Sequence, residues 1–96
     1  MRVAIMANDK TGREQVLKSI QGTITGKCVM GNKTQILEYL ITTTPDAVLI
    51  GGSDLAGDAS VINQVRTLLA KAGCCVSTRM LGMVGDLVLI TTRRMQ

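Results

Sequence analysis

Apolar residues are arranged along this chain in two alternating rhythms. Val3-Ala4-Ile5-Met6-Ala7 is an unbroken apolar run that stops at Asn8-Asp9, and it reads as a buried strand. From Gly12 to Ile20 the period changes: Val16, Leu17 and Ile20 share one helical face. Thr11 or Asp9 supplies the cap, and Glu14 stands three residues after Thr11 in a capping-box pattern. Gly22 and Gly26 punctuate the next segment, and Thr23–Met30 predicts a weaker second strand. A helix then opens at Asn32 or Thr34 and runs to Thr42, with Ile36, Leu37, Leu40 and Ile41 spaced for one buried face. Three threonines and Pro45 end it.

Ala47-Val48-Leu49-Ile50 is continuous rather than alternating, as a central parallel strand covered on both faces should be. Gly51-Gly52-Ser53 breaks it. The stretch from Asp58 to Ala72 predicts a helix with Val61, Ile62, Val65, Leu68 and Leu69 inward and Gly73 as its stop. Cys74–Thr78 and Leu87–Thr91 complete the set as strands. The order is βαβαβαββ, an α/β domain with right-handed crossovers on a mostly parallel five-stranded sheet. Only Arg79 to Asp86, with Gly82 and Gly85 among them, joins the last two strands. A parallel crossover takes about ten to twelve residues or more, so this spacing predicts an antiparallel return or a very short helical turn.

Ninety-six residues fit one domain, 1–96, either complete or the N-terminal part of something longer. Tyr39 is the single aromatic residue and histidine is absent, which excludes Ser-His and Cys-His catalysis, His-ligated metals and aromatic platforms for single strands. Eleven basic against seven acidic residues give +4, but the basic residues are spread along the chain, with only Arg93-Arg94 adjacent. That pattern argues for solvation rather than a nucleic-acid surface. Cys28, Cys74 and Cys75 are odd in number and two are vicinal, a poor disulfide framework without a zinc spacing. Each sits in an apolar run and reads as a small buried hydrophobe. The apolar runs are far shorter than the roughly twenty residues that cross a bilayer, and the first strand follows Met1 directly, so the expectation is a cytoplasmic chain without a membrane segment.

From Met1 to Ala72 the chain resembles the receiver domain of bacterial response regulators, a flavodoxin-like fold. The likeness is carried by Arg2-Val3-Ala4-Ile5-Met6, the helix Arg13–Ile20, Gln35-Ile36-Leu37-Glu38-Tyr39-Leu40, Thr44-Pro45-Asp46-Ala47-Val48-Leu49-Ile50 and the helix ending Ile62-Asn63-Gln64-Val65-Arg66. The family's chemistry does not come with it. Gly51 occupies the position of the phosphoacceptor aspartate, Ala7 and Asn8 match the acidic pair that holds Mg²⁺, and Asp9 is displaced by one. Ser77 or Thr78 stands for the hydroxyl closing the fourth strand, and Thr91-Thr92 stand where the family has lysine. A glycine forms no acyl phosphate, and this set lacks the carboxylates for Mg²⁺. The resemblance therefore implies an atypical receiver, like those attached to some ParA/MinD-like ATPases or the pseudo-receivers of signalling proteins, which work by protein contact. No cofactor and no catalytic residue are expected.

Receivers also carry two further helices, after the fourth and fifth strands, that this chain lacks. Leu87–Ile90 should be covered on both faces, and each such side chain contributes roughly 1.5–3 kcal/mol when buried. A second copy, a partner or further chain beyond these 96 residues is therefore expected over this side, with Met80, Leu81, Met83, Val84, Leu87 and Leu89 as the contact surface and a homodimer as one form of it. The alternative is that these residues fold back over the chain's own sheet.

Two other patterns were weighed. Gly22-x-x-x-Gly26-Lys27-Cys28 is one residue short of a phosphate loop and precedes a strand instead of following one. Gly51–Asp58 lies between a strand and a helix N-terminus, where doubly wound sheets bind ligands. A small-ligand or nucleotide site there would use Asn8, Asp9, Gly51, Ser53, Asp54 and Thr78. Asp54-x-x-Gly57 also looks faintly like the acidic motif of Toprim nucleotidyl-transfer domains, with Gly52 in place of its first acid. On that reading Asp9, Asp54 and Asp58 converge on a divalent ion; otherwise the acids cap helices.

Overall fold

Short polar side chains take up the free N–H groups at the start of three helices. In the computed structural model, which describes residues 2–20, 27–81 and 87–94, Asp9 Oδ1 accepts from Gly12 N at 2.7 Å and opens α1 (Lys10–Ile20). Asp9 is thus the cap, and not Thr11. Asn32 closes a reciprocal capping box with Gln35 ahead of α2 (Lys33–Thr42). Asp58 accepts from Ser60 N at 2.9 Å ahead of α4 (Ala59–Lys71). Just after the strand Ala47–Gly51 comes α3 (Ser53–Ala56), a single turn that the sequence pattern does not announce. Gly73, at φ +87°, turns the chain out of α4 in a conformation that glycine adopts without strain.

The strands are β1 (Arg2–Met6), β2 (Lys27–Gly31), β3 (Ala47–Gly51), β4 (Cys74–Leu81) and β5 (Leu87–Arg94). They form one mixed sheet in the order β2-β1-β3-β5-β4. β1 pairs in parallel with β2 and β3, while β5 runs antiparallel to both β3 and β4. The chain is therefore α/β with a five-stranded sheet that is parallel in one half and antiparallel in the other. The last strand returns antiparallel, as its short connection requires. It enters the sheet between β3 and β4 rather than outside β4. The hairpin ladder is longer than the sequence suggested, with Arg79, Met80 and Leu81 paired to Leu89, Val88 and Leu87.

Strand alternation divides the core between two faces. Val3, Ile5, Ala47, Leu49 and Leu87 pack with Val16 of α1 on one side. Ala4, Met6, Val48, Ile50, Val88 and Ile90 pack on the other against Ile36 and Leu40 of α2, Leu55 and Ala56 of α3, and Val61, Val65 and Leu69 of α4. This placement corrects the expectation that Leu87–Ile90 needs an outside cover. An interior position gives β5 its own chain on both faces, so Leu87, Val88 and Ile90 are buried and Leu89 is partly buried.

The edge strands explain two further corrections. Cys28 and Cys75 are exposed because β2 and β4 are the outer strands, and only Cys74 is buried. On the helices the buried stripe is narrower than the apolar one: Ile41 is 69% exposed and Leu17 is 47% exposed, while their neighbours Leu40 and Val16 are buried. One step along a helix turns a side chain by about 100°, far enough to leave the contact.

Among the described residues no helix is long and apolar enough to cross a membrane. Truncation should separate the two kinds of apolar position. Ile90→Ala is expected to lower the unfolding free energy by about 2–5 kcal/mol, and Ile41→Ala to change it by less than about 0.5 kcal/mol. Urea denaturation of both variants checks this, and equal losses would contradict the burial pattern.

Candidate functional site

The parallel half of the sheet ends at a carboxyl edge where three loops meet. Ala7 N donates to Gly31 O at 3.0 Å, which holds the exit of β1 beside the exit of β2. Asn8 follows and spans the edge. Its Oδ1 accepts from Lys33 N at 3.0 Å, and its Nδ2 donates to Asp54 Oδ2 at 3.3 Å. One amide thus ties the start of α2 to α3, and both ends of that amide are engaged.

The position matched to a phosphoacceptor is closed. A Cβ on Gly51 would lie 2.4 Å from Val16 Cγ2 and 2.7 Å from Gly12 O. A Cβ on Gly12 would in turn lie 3.1 Å from Gly51 O. The first turn of α1 therefore packs on the end of β3 backbone to backbone, and two glycines facing each other permit the approach. Ala7, matched to the first Mg²⁺ carboxylate, is fully buried and has no side chain to offer an ion. Gly52, at φ +95°, turns the strand into α3.

The predicted site residues separate on this frame. Asn8, Asp9, Gly51, Ser53 and Asp54 all lie at the carboxyl edge, with Asn8 bonded to Asp54, Asp9 turned to cap α1, Ser53 exposed at the start of α3 and Gly51 forming the buried floor. Thr78 is not with them. It pairs with Ile90, which pairs with Val48, so it sits level with the middle of β3 and two strands away. Leu81, through Leu87, is the β4 residue level with Gly51. Nor do Asp9, Asp54 and Asp58 converge: among the described residues no three acidic or thiol side chains group as they would to hold a metal ion. Each of the three accepts a hydrogen bond where it stands.

The expected contact surface is likewise divided. Met80 is 55% exposed and faces the α4 side with Val88, while Leu81, partly exposed, faces the α1 side with Leu87 and Leu89. Leu87 is buried and offers no surface. Met83 and Val84 lie outside the described residues, as do the whole Gly22–Gly26 segment and the Gly82 and Gly85 positions.

Sequence reasoning missed an open groove of about 710 Å³ between α2 and α4, with Leu37, Ile41 and Leu68 as its apolar lining. The available signal was Ile41, placed on the buried face when the Ile36–Leu40 stripe alone accounts for that face.

Substitution at the two glycines tests the closed edge. Gly51→Ala should cost about 1–3 kcal/mol through overpacking. Gly12→Ala should cost less, since its contacts are looser and alanine is favoured over glycine inside a helix by about 1 kcal/mol. Denaturant midpoints decide it, and a neutral Gly51→Ala would show that α1 does not press on β3. No protein-family model, curated protein or solved structure matches this chain.

Proposed function

We propose that this chain is a non-catalytic, receiver-like regulatory module that acts through protein–protein contact. The observation that carries this reading is the glycine pair. Where a receiver would present an aspartate to phosphate and Mg²⁺, Gly51 has no space even for a Cβ, because Val16 and the backbone of Gly12 fill it. Phosphoryl transfer at an aspartate needs that carboxylate and a cation held beside it. The neighbouring polar groups are committed to holding the fold: Asn8 bridges α2 and α3, and Asp9 caps α1.

The receiver-like part of the reading draws on the first half of the sheet. The order β2-β1-β3 in parallel, with α1 on one face and α2 on the other, is how flavodoxin-like sheets begin. The second half departs from the 2-1-3-4-5 order of that class, since β5 stands where its fourth strand would be. Among the described residues, an antiparallel β4–β5 ladder stands where such domains carry further helices. A module of this kind is left with its surface as its means of action.

Incubation with Mg²⁺ and acetyl phosphate, or with a beryllofluoride salt, should leave the intact mass and the thermal midpoint unchanged. A stoichiometric phosphoryl adduct would overturn the reading.

A further inference from the structure

The outer edge of β4 is the least protected element of the sheet. It is eight residues long, against a usual five or six, and pairs with β5 through eight consecutive residues without a bulge. It holds no proline and no lysine, and Arg79 is its one charge. Natural edge strands are normally shortened, bulged, charged or covered, because their free N–H and C=O groups otherwise recruit another strand. β2, at the opposite edge, is five residues long and opens with Lys27. Cys75, Ser77, Thr78, Arg79 and Met80 of β4 are all exposed.

We propose that two copies of this chain pair edge to edge through β4, antiparallel about a two-fold axis at Ser77, to form one continuous sheet. The proposal rests on the reading above as a protein-contact module and names its partner. The register is chosen by self-complementarity. With Ser77 opposite its own copy, Cys75 meets Arg79 and Val76 meets Thr78, so no like charges oppose each other. The two Arg79 side chains stand four residues apart along the strands, about 13–14 Å, beyond the Debye length of about 8 Å at physiological salt.

The α4 side adds a fit of shapes. Cys74, Val76, Thr78 and Met80 share that face, and a groove of about 440 Å³ lies between α4 and β4, lined by Asn63, Arg66, Thr67, Ala70 and Val76. In the Ser77 register Met80 of one copy stands opposite Cys74 of the other and diagonal to its Val76. That is within reach of a long flexible side chain. The exposed methionine and the groove that receives it therefore come from the same face of the same strand.

Sedimentation equilibrium of the whole chain from micromolar to submillimolar concentration should show a reversible dimer. Ser77→Lys, at a position exposed in the monomer, places two ammonium groups against each other at the axis and should weaken the dimer by about fivefold or more. Ser77→Cys, with Cys28 and Cys75 changed to serine, should form an intermolecular disulfide on oxidation. A monomer at every concentration overturns the proposal. So does a dimer that withstands Ser77→Lys and is not crosslinked by Ser77→Cys, a result that leaves the protein-contact reading standing with another surface. A phosphoryl adduct would instead remove that reading without touching the edge pairing, which these variants decide.

Discussion

The placement of β5 governs the molecule. Leu87-Val88-Leu89-Ile90 is apolar on both faces, whereas Cys74–Leu81 carries a polar and ionic centre, Ser77-Thr78-Arg79, on both of its faces. A strand of the first kind loses most at a sheet edge, where one flank and part of each face meet water. The crossover through α4 therefore carries β4 two positions beyond β3, and the short return drops β5 into the gap. That order buries Leu87, Val88 and Ile90 and leaves the more polar strand outermost. It also accounts for how β5 is covered among the described residues: it borrows cover from helices belonging to β3 and β4.

At the other end of the same strands, the glycine pair sets what the carboxyl edge can do. In open α/β sheets this edge is the usual ligand crevice, because crossover loops part there and leave helix N-termini pointing inward. Here α1 leans onto β3 at Gly12 and Gly51, and the amide of Asn8 crosses from one loop to the next. Close packing leaves no room for a side chain at the end of β3. The proposed contact function accordingly looks to the outside of the sheet and its helices.

How much of this was legible in the sequence depends on the range of the interaction behind each feature. Caps and stops are local, and Asn32, Asp58 and Gly73 are where short-range chemistry puts them. The antiparallel sense of β5 was legible in part, since the short connection narrows the choice to an antiparallel return or a very short helical turn. The interior position of β5 was not, because it follows from a comparison of two strands against one sheet. The same holds for Cys28 and Cys75, apolar by neighbourhood and exposed by strand order. At the site, Gly51 stands out in the sequence, but its close contact with Gly12, thirty-nine residues earlier, left no trace in local pattern. The Pro45-Asp46 pair shows a motif acquiring a plain structural reason. Asp46 N donates to Arg2 O and Asp46 Oδ2 accepts from Arg2 N, each at 2.8 Å. Thr92 Oγ1 donates to Pro45 O at 2.7 Å. The pair knots the bases of β1, β3 and β5 together.

The two solvent-facing thiols have a practical consequence. Cys28 and Cys75 stand on opposite rims of the sheet, and their strand partners Val3 and Arg93 place both on the α1 side. Four interstrand gaps lie between those rims, about 19 Å of backbone. Spectroscopic labels attached through sulfur would thus sit at the two ends of a natural ruler laid across the domain.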